Sequence, residues 1–101
     1  MRLVFITAPP DQAGELARRL VEERLAACVN VLPGVTSHYV WEGTQEADAE
    51  TLLIAKVAAE RLDAFTARVL DLHPYDQPEV VAIEPAGGSA GYLDWVRRGG
   101  G

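Results

Sequence analysis

Apolar residues along the chain fall into blocks of two spacings, one alternating and one helical. Leu3 to Thr7 is a β-rich run with apolar groups on both faces, the pattern of a central strand. Pro9 and Pro10 end it, and Asp11 is placed to cap a helix. From Asp11 to Ala27, apolar residues led by Ala13, Leu16, Ala17 and Leu20 recur at helical spacing. Glu15, Arg18, Arg19, Glu22 and Glu23 take the other side, a solvated charged face.

Two β-rich arms then flank a polar connection expected near Gly43 to Asp48, which reads as a hairpin. In the first arm Val35, Ser37, Tyr39 and Trp41 alternate with Thr36, His38, Val40 and Glu42. In the second, Leu52, Ile54 and Lys56 alternate with Thr51, Leu53 and Ala55, so both faces carry apolar groups. Pro33-Gly34 interrupts the first arm and predicts a bend or bulge, because proline removes a ladder donor. A second helix is expected over Ala59 to Leu72, with Leu62, Phe65, Val69 and Leu72 on one face; His73-Pro74 stops it. Glu79 to Glu84 reads as a fourth strand, and after Gly87-Gly88 a cap at Ser89 opens a short helix carrying Tyr92, Leu93, Trp95 and Val96. Residues 1–98 form a single domain in this reading, with 99–101 a mobile tail.

The order β-α-β-β-α-β plus a terminal helix predicts an α+β fold, the ferredoxin-like split β-α-β sandwich. Its antiparallel sheet has strand order 4-1-3-2, with two helices on one face and an apolar second face left bare. Each hairpin arm has about a dozen residues and spans roughly 40 Å at ~3.3 Å per residue. A domain this small cannot cover such a ribbon, and Tyr39 and Trp41 near its tip would sit in water beside unpaired edge groups. The pattern therefore predicts self-association, with Trp41, Tyr39 and Leu53 as the interface residues.

Composition narrows the function. A chain of 101 residues, 49% hydrophobic, supports one domain with its own core. The net charge of −6 and the single lysine, Lys56, exclude a broad phosphate-backbone footprint, so no nucleic-acid partner is expected. One cysteine, Cys28, forms no internal disulfide and fits a reducing compartment. The first apolar run, about six residues, is shorter than the ~7–15 of a signal-peptide core, and no run approaches a membrane span. A cytoplasmic protein with no membrane partner is expected.

Chemistry-bearing residues are few. Cys28 at a helix-to-strand junction reads as a small buried hydrophobe or a ligand. His73 in H-P-Y-D-Q-P-E either hydrogen-bonds its turn or serves as a ligand or acid-base group. The expected topology puts Cys28 and His73 at opposite ends of the sheet, so one copy cannot use both on one metal. Lys56 shares a strand face with Leu52 and Ile54; burying it requires a carboxylate partner, and it is a candidate anion-binding residue. Gly-rich phosphate loops, G-x-S-x-G elbows, H-E-x-x-H and paired-cysteine patterns do not occur, and no catalytic residues are assigned.

The segments V-E-E-R-L-A-A-C-V-N-V-L-P-G-V-T-S, Y-V-W-E-G, H-P-Y-D-Q-P-E-V and G-Y-L-D-W-V closely resemble the CutA family, the divalent-cation tolerance proteins. The resemblance covers nearly the whole chain. It implies a ferredoxin-like subunit in a compact homotrimer whose long hairpins pair between neighbours, and an association with copper tolerance. Members with assigned copper ligands carry a cysteine near the end of strand one and two successive histidines before Pro-Tyr. Ile6 and Leu72 stand at two of those positions and only His73 matches. A metal such as copper would then be held weakly or between subunits, by His73 with Cys28 and Glu79. The leading expectation is a trimeric, non-enzymatic module tied to divalent-metal tolerance, binding in an intersubunit cleft. Lys56, Tyr75 and Tyr39 are its candidate cleft residues. The alternatives are a signalling-type trimer sensing a small anionic metabolite and a structural or partner-binding trimer.

Overall fold

The computed structural model describes all of residues 1–101. Strand β1 (Arg2–Ala8) leads into helix α1 (Pro10–Glu22), then strands β2 (Cys28–Trp41) and β3 (Thr44–Val57). A 3-10 turn (Ala59–Arg61) precedes helix α2 (Leu62–Leu72); strand β4 (Val80–Ile83) and helix α3 (Ala90–Arg97) complete the chain. The four strands form one antiparallel sheet in the order β2-β3-β1-β4. Read from the other edge, this is the expected 4-1-3-2.

Alternation sorts the sheet into a covered face and an open one. Val4, Ile6 and Ala8 of β1 and Leu53, Ala55 and Val57 of β3 are buried against α1 and α2. These helices contribute Ala13, Leu16 and Leu20, and Phe65 and Val69, to the same core. Burying a side chain of this size is worth roughly 1.5–3 kcal/mol, so this layer holds the subunit together. Phe5, Leu52 and Ile54 point the other way, as do Val81 (52% exposed) and Ile83 on the edge strand. Leu53, expected at an interface, pairs with Ile6 and Val31 on the covered side and has no exposed surface to offer a partner. Its neighbours Leu52 and Ile54 hold the open-face positions instead.

Both hairpin arms are 14 residues long and account for the 45 Å extent of the molecule. The tip is tighter than expected. Trp41 pairs with Thr44, so the turn is Glu42-Gly43 alone, both with positive φ (51° and 80°), the type I′ geometry. The polar stretch from Thr44 to Asp48 is therefore strand and not connection. It is polar on both sides because no helix reaches it.

Two boundaries of α1 also differ, while the cap position of α3 falls at Ser89 as expected. Asp11 lies in the first turn of α1 and does not cap it, because Pro9 takes the cap position and Pro10 the first helical one. Helix α1 stops at Glu22, short of Ala27. Arg24 adopts φ 63°, the Leu25 amide donates to Leu20 O and the Arg24 amide to Val21 O, which closes the helix as a Schellman motif. Ser89 occupies the cap position of α3 without a side-chain hydrogen bond. The C-terminus of α3 repeats the Schellman closure with Gly99 at φ 85°: Gly99 and Gly100 donate to Val96 O and Trp95 O.

Candidate functional site

The bulge decides which side chains meet. Leu32 pairs with Leu52 and Val35 with Glu50, so Pro33 and Gly34 together oppose Thr51, as the sequence predicts. Ahead of it the even-numbered residues Cys28, Asn30 and Leu32 share the open face with Lys56, Ile54 and Leu52. Beyond it the parity inverts, and Ser37, Tyr39 and Trp41 take that face with Asp48, Glu46 and Thr44. Gly34 at φ 85° supplies the backbone conformation that this inversion requires.

A cavity of about 730 Å³ opens there, between the hairpin stem, the end of β1 and the loop after α2. Tyr39, Trp41 and Glu50 come from the hairpin, and Tyr75, Asp76 and Glu79 from the loop. His73 fixes that loop. Its ring is 7% exposed, Nε2 donates to Thr7 O at 2.7 Å, and Nδ1 accepts the Tyr75 amide at 3.2 Å. Donation at one nitrogen and acceptance at the other describe the neutral imidazole. The Tyr75 ring packs on His73 at 4.7 Å between centroids, and its hydroxyl donates to Glu50 Oε2 at 3.0 Å. Burial, and then this carboxylate, push the Tyr75 phenol up to about 12. The Tyr39 hydroxyl donates to Asp48, and that hydrogen bond, with burial second, pushes it up to about 12 as well. Both phenols are therefore donors at neutral pH.

The expected site residues fall into two groups. Tyr39, Tyr75 and Glu79 share the cavity. Cys28 and Lys56 pair with each other near the opposite end of the sheet, four β3 residues from the Leu52–Thr7 pair. Lys56 has no carboxylate partner; Nζ donates to Asn30 Oδ1 and lies 3.8 Å from Cys28 Sγ. Tyr92 of α3 also lies against Cys28, and burial first, then the neighbouring Cys28 side chain, raises its pKa.

One chain does not fit a metal donor set. Both nitrogens of His73 are engaged with backbone, Cys28 is remote, and no three His, Cys, Asp or Glu side chains are grouped to share an ion. Glu50 and Asp76 were not singled out by the sequence reading. Counting the alternation from Leu52 back to Glu50 puts that carboxylate on the open face, but the step across the bulge to Tyr39 needs the register. Asp76 depends on the loop's path, which carries no periodicity.

Comparison with known proteins agrees with this architecture. The family model described as CutA1 divalent ion tolerance protein matches residues 2–99. The divalent-cation tolerance protein CutA of Thermus thermophilus is 48% identical over 96 residues, covering 94% of this chain and 93% of that protein. A rice protein, Protein CutA 1, chloroplastic, is 47% identical over 96 residues, but the chain spans only 54% of its length. The solved structure of a PII-like protein CutA from Nostoc superposes with a TM-score of 0.94 at 37% identity, covering 98% of this chain and 96% of that one. From the matched span and these identities, the chain belongs to the CutA1 divalent ion tolerance protein family.

Proposed function

We propose that the chain acts as a closed homotrimer without a catalytic step, in the cellular response to divalent metal such as copper, and holds its ligand in clefts at the subunit seams. The observation that carries this is the open face. Phe5, Leu52, Ile54, Val81 and Ile83 form an apolar surface, and the hairpin runs past the helices with Trp41 48% exposed at its end. Monomeric proteins seldom expose contiguous apolar surface of this kind. The surface adjoins the cavity, so a copy packed on it would wall the cleft.

The PII-like description of the Nostoc relative favours a second, signalling reading, with a small anion as ligand. In one chain the cavity lining contains no Lys or Arg, so an anion would depend on Lys56 from a neighbouring copy. Calorimetric titration of the purified protein with Cu²⁺, Zn²⁺ and ATP separates the readings. Metal heat reduced in Glu79→Ala supports metal association at the seam. Nucleotide heat lost in Lys56→Ala supports the signalling reading. An assembled protein that gives no heat with any of them is a structural trimer, and the ligand-binding proposal fails.

A further inference from the structure

The cavity carries a charge that nothing in the chain balances. Glu50 is 94% removed from solvent, at 6% exposure, yet no Lys, Arg or His pairs with it. Its one hydrogen bond comes from the neutral Tyr75 hydroxyl to Oε2; Oε1 has no protein donor and opens into the cavity, where a ligand or water can reach it. A largely enclosed carboxylate with one oxygen open to the cavity and no cation beside it can receive a charged donor from a ligand. Asp76 and Glu79 line the same space and also lack basic partners, and His38 is the only basic side chain on the lining. The remaining wall is aromatic, formed by Tyr39, Trp41 and Tyr75.

Negative charge beside aromatic faces selects one class of ligand. A bare divalent ion needs several oxygen or nitrogen donors converging at roughly 2.0–2.6 Å, and no three such side chains are grouped here. An organic cation needs only a carboxylate to receive its N–H groups and ring faces to receive its diffuse charge. The volume of about 730 Å³ falls within the roughly 300–1,000 Å³ of small-molecule sites.

We propose that this cavity is a receptor for an ammonium or guanidinium group, with Glu50 as the buried counter-ion, Asp76 and Glu79 at the mouth, and Trp41 and Tyr39 as the cation–π wall. The inference rests on reading the cavity as a ligand cleft and does not require the trimer. The group has two sources: a free amine, or the Lys56 side chain of a neighbouring copy reaching across a seam.

Calorimetric titration of the full-length protein with putrescine tests it, with butyrate as the anionic match and Mg²⁺ as the hard-metal control. For a free amine, putrescine binds, butyrate does not, and Glu50→Gln weakens binding by at least about tenfold. Where a neighbour's lysine fills the site, wild type takes no putrescine and Lys56→Gln does, again dependent on Glu50. Near-ultraviolet circular dichroism verifies the fold of Glu50→Gln; the exposed changes Asp76→Asn and Glu79→Gln carry the same test if it does not fold. The proposal is overturned by absence of putrescine binding in both wild type and Lys56→Gln, by equal binding of butyrate, by Mg²⁺ binding alone, or by charge-neutralised variants that bind as wild type does. An assembled trimer that takes no putrescine either as wild type or as Lys56→Gln refutes this inference alone, whereas a single-copy protein that takes it refutes only the assembly.

Discussion

His73→Ala separates a structural imidazole from a metal ligand. The ring makes three contacts: with the Thr7 carbonyl at the end of β1, with the Tyr75 amide in the following loop, and with the Tyr75 ring, tilted against it. Truncation leaves a largely buried carbonyl and an amide without partners, at about 1–3 kcal/mol for each one that water cannot reach. The lost ring contact adds about 0.5–1.5 kcal/mol. Water entering through the cavity satisfies part of this, so a net loss of about 2–4 kcal/mol is expected. The assay is denaturant unfolding at fixed protomer concentration with a chelator present, because assembly and metal both alter apparent stability by mass action. A structural histidine destabilises fully under chelation. If His73→Ala unfolds within about 0.5 kcal/mol of wild type in chelator, and the two separate only when copper is added, the hydrogen-bonding role assigned here is wrong.

Two further outcomes follow from local geometry. Arg24→Gly should stabilise the protein by about 0.5–1 kcal/mol in the same unfolding assay, because glycine adopts the left-handed C′ position without the Cβ penalty; a loss of stability would mean the Arg24 side chain contributes more than the strain it brings. All three tyrosines have raised pKa values, so tyrosinate absorbance of the folded protein should appear later than in denaturant, with Tyr39 and Tyr75 near 12. Native phenols then hold protons that unfolded ones release, so stability is level below pH ~10 and falls as pH rises through that interval. Titration of all three at their ordinary value would contradict the hydrogen bonds to Asp48 and Glu50.

Most of the element order was legible because the core is built from periodic residues. Leu16, Leu20, Phe65 and Val69 announce their helices, and Val4, Ile6, Ala55 and Val57 their strands. The errors fall where a boundary depends on backbone conformation. Arg24 ends α1 in a conformation usually signalled by glycine, so the apolar spacing read on to Ala27. The segment Thr44 to Asp48 looked like a loop because a strand projecting beyond the core has no apolar face to display. The two faces of β3 were seen as apolar, but only register with β1 shows that Leu53 faces the helices while Ile54 faces out. Of the cavity, Tyr39, Tyr75 and Glu79 are legible in the sequence. Alternation from Leu52 puts Glu50 on the open face, but its meeting with Tyr39 emerges only when the bulge at Pro33-Gly34 inverts the pairing.

The proposed clefts exist only if other copies of the chain close the open face. Sedimentation velocity across a wide dilution series measures this directly. A single species of three times the 10.9 kDa chain mass, undissociated at low concentration and with Trp41 fluorescence shielded from quencher, is the predicted result. A stable species of one chain mass, with Trp41 freely quenched, would contradict it.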